Sequence, residues 1–95
     1  MDTFAYESLT IGTVTTTMTS SIYAPTGQSP AIYAYLTTET DTVRYRTDGT
    51  APTSSEGHNV AAAGSCEVNS ESDIRHFNVI RSGTSNATIR ITYKR

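Results

Sequence analysis

His58, His76 and Cys66 are the side chains best suited to proton transfer near neutral pH, nucleophilic attack or capture of a soft metal ion. Hydrolytic chemistry needs a nucleophile, a base and a group that orients the base. With 11 serines present, a Ser/His/Asp combination exists by number alone and carries no information, and no G-x-S-x-G elbow occurs. His58 ends a loop next to Gly57 and reads as solvent-facing; His76 reads as a satisfied residue of a strand. Cys66 has no C-x-x-C partner, and its separations from the two histidines match no zinc pattern, so it reads as a small buried hydrophobe. Asp48, Thr50 and Glu56 lack the dense carboxylate spacing of a calcium loop. The nine acids are scattered mostly over turns, without the paired carboxylates of a glycosidase. The expectation is a protein that is not an enzyme and uses no cofactor or metal.

The chain that must position these residues has 95 amino acids and a formal charge of −2, the size of one domain, here residues 1–95. Its unusual component is hydroxyl side chain, with 18 Thr and 11 Ser. Threonine favours β structure because its branched Cβ stiffens χ1 and packs on a pleated surface while the hydroxyl keeps an outer face wet. Disorder is the alternative for so polar a chain, and the periodic apolar stretches argue against it. A single cysteine excludes an internal disulfide, so the staples common in small domains are missing and association with neighbouring protein is the expected substitute. The mildly acidic balance gives no footprint for nucleic acid. Neither a leader, which would carry positive charge where Asp2 and Glu7 stand, nor a membrane span is expected.

Residues 9–18 alternate as one strand, with Leu9, Ile11, Thr13 and Thr15 on one side. Pro25, Gly27 and Pro30 make a loop of 24–30. Residues 31–38 are apolar on both alternating faces, the pattern of a strand covered on two sides. After a turn at Asp41-Thr42, residues 42–47 set Val43 and Tyr45 against Arg44 and Arg46. The loop that follows is built by Asp48, Gly49, Thr50, Pro52 and Gly57: Asp48 accepts from the Thr50 amide in an Asx-turn, Gly49 permits positive φ, and Pro52 interrupts any ladder. Residues 65–70 form a short strand with Cys66 and Val68 inward. Residues 74–81 form another, with Phe77 and Val79 on one face and His76, Asn78 and Ile80 on the other, entered by a helical turn at 72–75. Ser82 to Asn86 is a turn. Residues 87–94 alternate most clearly, with Ile89, Ile91 and Tyr93 in and Thr88, Arg90, Thr92 and Lys94 out. A further strand lies around 20–24 or 57–62. The fold class is therefore all-β, an antiparallel β-sandwich of six to eight strands, jelly-roll-like or immunoglobulin-like, with an open barrel as the alternative.

Six arginines accompany one lysine. Arginine and tyrosine are enriched at protein–protein contacts because each supplies area together with directional hydrogen bonds, and Tyr33, Tyr35, Arg44, Arg46, Arg81 and Arg90 are the candidate interface. The absence of Trp, and tyrosines at inward positions of the expected strands, speak against a glycan-binding platform. Asn86-Ala87-Thr88 fits a glycosylation sequon, which chance supplies readily in a Thr-rich chain.

The run Thr-Val-Arg-Tyr-Arg-Thr-Asp-Gly-Thr-Ala-Pro-Thr-Ser-Ser-Glu-Gly-His over 42–58, Phe77 to Gly83, and the closing Ala87 to Tyr93 resemble a family of small tailed-bacteriophage virion proteins. The shared pattern is R-Y-R-x-D-G-T-x-P-T, a following glycine-histidine, an F-x-x-I-R strand and a terminal T-Y. With Ala24 to Gly27 and Thr37 to Thr40 the similarity spans roughly residues 24–95 and is weaker before them. The resemblance implies a structural virion protein made in the host cytoplasm, a capsid decoration or cement protein on the capsid exterior. It further implies a homo-oligomer such as a trimer, with the major capsid protein or other virion proteins as partners. Neck or tail location and a host-glycan-binding module are the alternatives.

Overall fold

The computed structural model describes residues 1–95. In chain order its elements are β1 (Thr3–Ile11), β2 (Thr16–Thr17), α1 (Ser20–Tyr23), β3 (Tyr33–Glu39), β4 (Val43–Arg46), β5 (His58–Val60), β6 (Ser65–Val68), α2 (Glu71–Arg75), β7 (Asn78–Arg81) and β8 (Ala87–Lys94). The strands form two four-stranded antiparallel sheets, ordered β1-β8-β3-β6 and β2-β7-β4-β5. First pairs with last, second with seventh, third with sixth and fourth with fifth, as if one long hairpin had been rolled around a core. That winding is a jelly roll. An immunoglobulin-like sandwich places its first two strands in the same sheet, whereas β1 and β2 lie in different ones.

Alternation builds the core. Ala87, Ile89, Ile91 and Tyr93 of β8 are fully buried, as are Ala34 and Thr38 of β3, with Leu36 between them. Val43, Val60 and Val79 close the core from the other sheet, and Phe77 beside them stacks on Tyr45 at 5.3 Å. Cys66 packs against this cluster, partly buried, and burial pushes its thiol pKa up.

Several local expectations are corrected. The stretch 9–18 is not one strand. β1 begins at Thr3, and beyond Ile11, the last core-facing residue, the chain crosses to the other sheet, leaving Val14 76% exposed before β2. Residues 20–24 hold a helical turn, since the Ile22 and Tyr23 amides both donate to the Thr19 carbonyl. The further strand is β5. The strand at 31–38 is covered on one side only, its other face remaining open at Tyr35. Residues 74–77 are not extended. Ser70 Oγ accepts from the Asp73 amide at 3.1 Å and starts α2, whose Ile74 is buried. His76 caps that helix as an exposed residue with Nδ1 2.8 Å from the Ser72 carbonyl; it is no part of a sheet.

Two polar ties fasten the roll. Asp41 accepts from the Thr42 amide at 2.7 Å and the Ser85 amide at 2.9 Å, joining the β3–β4 and β7–β8 turns. These bonds hold its carboxyl below the usual range. Glu7, 8% exposed, stands at a core-facing position and accepts from the Thr19 amide (3.1 Å), Thr19 Oγ1 (2.7 Å) and the buried Tyr93 hydroxyl (2.6 Å). Three donors make a buried carboxylate tolerable where a lone one would not be. Burial first, then the Glu7 carboxylate, pushes the Tyr93 pKa far above the ordinary tyrosine range.

Candidate functional site

Past a register shift between Thr3 and Ala5, β1 pairs continuously with β8, and β3 and β6 follow in register, so the outward residues form a grid. One row runs Tyr6, Thr92, Tyr35, Glu67 and the next Ser8, Arg90, Thr37, Ser65. Tyr6 is 55% and Tyr35 41% exposed. Arg90 lies between β1 and β3. Its Nε donates to Glu39 at 2.9 Å and its Nη1 to the Tyr6 hydroxyl at 3.3 Å, and these partners raise its pKa. Tyr33 donates to Glu67, which raises the phenol pKa, and Lys94 Nζ lies 5.7 Å from the Tyr33 ring centre. The result is a flat face of aromatic rings, threonine hydroxyls and a pre-oriented guanidinium, suited to cover a protein surface rather than to enclose a small molecule.

The other three candidate residues sit on the opposite sheet. Arg44 Nη1 donates to the Gly57 carbonyl at 2.9 Å, while its buried Nε has no hydrogen-bond partner. Arg46 pairs with Asp48, and Arg81 Nη1 donates to Asn86 Oδ1 at 2.8 Å. The loop between β4 and β5 follows the expected chemistry. Asp48 accepts from the Thr50 amide at 3.2 Å and Gly49 has φ +83°. The Arg46 side chain and the Thr50 amide hold the Asp48 pKa down.

Pro52 is buried and Gly57 has φ +134°, where an added Cβ would stand 3.1 Å from both Pro52 Cβ and the Tyr45 carbonyl. The loop thus folds back against its sheet. Between it and β4 lies an open cleft of about 400 Å³ whose walls include Arg44, Arg46, Asp48, Glu56 and His58 but no apolar side chain. A second opening of about 440 Å³ separates Pro52, Thr53 and Ser54 from Ile80, Arg81 and Thr13. Neither has the apolar walls with a few convergent polar groups that typify a substrate pocket.

The residues singled out for chemistry are kept apart by the fold. His58 is exposed on the β5 edge against the Tyr45 ring (5.4 Å), His76 caps α2, and Cys66 is on the other sheet. No three His, Cys, Asp or Glu side chains stand close enough together to hold a metal ion. No helix is long and apolar enough to cross a membrane.

Sequence reasoning missed Tyr6. The period-two pattern of Tyr6, Ser8 and Thr10 against Leu9 and Ile11 was its signal, masked by a glutamate at the inward position between Tyr6 and Ser8. The tyrosines also divide differently from the expectation: Tyr6, Tyr33 and Tyr35 face outward, while Tyr23 and Tyr93 are buried. Comparison of the chain with protein-family models, curated proteins and solved structures finds no match.

Proposed function

We propose that this chain is a structural component of a bacteriophage virion, a decoration or cement protein that lies on the capsid exterior and bridges major capsid protein subunits. The observation that carries this reading is the open outer face of the β1-β8-β3-β6 sheet, where Tyr6, Tyr35 and Arg90 form a flat contact surface. The residue patterns resembling small tailed-phage virion proteins and the jelly-roll winding support it. On this reading the protein works without catalysis. Apolar and Tyr/Arg surface buried against the shell contributes ~25 cal/mol per Å² of apolar area before ordering costs. A homo-oligomer would multiply modest single contacts through effective concentration.

Imaging of intact particles with and without the protein tests the reading. Copies dispersed over the head are expected, and a double Tyr35→Ala, Arg90→Ala variant that keeps its fold should lose at least ~tenfold in particle affinity. A single ring at the tail vertex would move the protein to the neck or tail. The outward Tyr6 and Tyr35 rings favour one further reading, a platform for host glycan; saturable binding of the isolated protein on a glycan array, with no density on the shell, would establish it instead.

A further inference from the structure

The four edges of the two sheets differ sharply. β2 has two residues, β5 three and β6 four, and edges this short are protected against pairing by their length. β1 has nine residues, contains no proline, lysine or arginine, and turns its one carboxylate, Glu7, into the core.

The backbone pattern shows what this edge offers. Arg95 exchanges both of its backbone hydrogen bonds with Asp2 (2.9 and 3.0 Å), whereas the Lys94 carbonyl accepts from the Ile32 amide on the β3 side (3.0 Å). Direction alternates along an antiparallel strand, so odd-numbered residues of β8 address β1 and even-numbered ones address β3. The odd-numbered residues are matched to Ala5, Glu7, Leu9 and Ile11. The N–H and C=O groups of Tyr6, Ser8 and Thr10 therefore point away from β8, and no other segment of the chain bonds to them. All three residues are exposed.

We infer that this edge pairs with the same edge of a second copy of the chain, antiparallel about a two-fold axis at Ser8. In that register Ser8 faces Ser8 of the other copy and Tyr6 faces its Thr10. Outward-pointing backbone groups then meet only their own kind, giving ~6 hydrogen bonds. Each Tyr–Thr pair sets an aromatic ring against a β-branched side chain, a favourable cross-strand combination. No charged side chain faces another, because Glu7 is held by Thr19 and Tyr93 and Arg90 lies one strand further in. An edge that matches itself in backbone pattern, side-chain pairing and charge fits a second copy better than an unrelated strand, and two-fold pairing consumes both free edges, so association closes. The paired sheets make one continuous eight-stranded face that repeats the Tyr6, Tyr35 and Arg90 surface.

The test uses the isolated full chain and so stands apart from the virion reading. Sedimentation over a concentration series should show a dimer, or an even-numbered assembly built from it, with the Ser8 amide protected from hydrogen exchange. Ser8→Pro deletes an N–H that the fold itself does not use, at an edge position where proline is tolerated. It should raise the dimer dissociation constant at least ~tenfold with the circular dichroism spectrum unchanged. Ser8→Lys, which sets two like charges on the axis, should do the same and decides the matter if the proline variant misfolds. A monomer at ~100 μM, a concentration at which even a weak specific dimer would form, an odd-numbered oligomer, or an assembly indifferent to both substitutions would overturn the inference.

Discussion

The two sheets of this roll share one winding and divide the work. In the β1-β8-β3-β6 sheet the strands run to nine, eight, seven and four residues; in the β2-β7-β4-β5 sheet they run to two, four, four and three. The long sheet supplies eight of the sixteen core side chains and leaves its outer face open. The short sheet supplies Val43, Val60 and Val79 and carries a proline-anchored loop against β4. Long, regular strands can present a flat outer face because their inner face already holds them in place. Short strands depend on loop contacts, and those contacts use up the surface a partner would need.

The largest expected effect tests that division in the core. Ile91→Ala in β8 removes a fully buried side chain and should lower unfolding free energy by ~2–5 kcal/mol. Val60→Ala in β5, at 6% exposure, should cost only ~1.5 kcal/mol, near the transfer value of two methylenes. Denaturant titration of both decides it, and equal losses would break the comparison.

Tyr93→Phe comes next, with an expected loss of ~1.5–3 kcal/mol for a hydrogen bond to a charged acceptor. It also has a pH signature. The Tyr93 pKa is raised in the folded state, so its contribution is fully present below the ordinary value of 10.0 and is lost as pH climbs above it. Wild-type stability should therefore fall from about pH 10 upward, and the phenylalanine variant should show a shallower decline.

Gly57→Ala probes the loop of the short sheet. A side chain at φ +134° is strained and its Cβ crowds Pro52, so a loss of ~1–3 kcal/mol is expected in thermal unfolding. The smallest effect is a gain. Thr40, just past β3, has φ +80°, and Thr40→Gly should raise stability by ~0.5–1 kcal/mol by relieving that conformation.

How much was legible follows the same line. Residues 87–94 were readable to the residue, since a strand of that length shows its pleat directly in the order of Ile, Arg and Thr. The Asp48 turn was readable too, because an Asx-turn is closed by atoms two residues apart. The start of β1 was not. Glu7 breaks the apolar alternation, and its acceptability depends on Thr19 and Tyr93, which reach it only in the folded chain. His76 was misread for a related reason: the one-turn helix that it caps is too short to show a period, and its start depends on the Ser70 hydroxyl. The six candidate interface residues were identified by type, and the fold divides them, with Tyr33, Tyr35 and Arg90 on the open face and Arg44, Arg46 and Arg81 on the other sheet.

Residue order by itself determined that the chain is β-rich, where its longest strands alternate, and which turns reverse it, because pleat and turn geometry act between residues a few positions apart. Which strands become neighbours, which face stays bare and which edge keeps unbonded amides were decided only when β1 met β8 and β3 met β6. Those pairings join residues far apart in the chain through backbone groups that every residue carries alike, so no side-chain pattern spells them out.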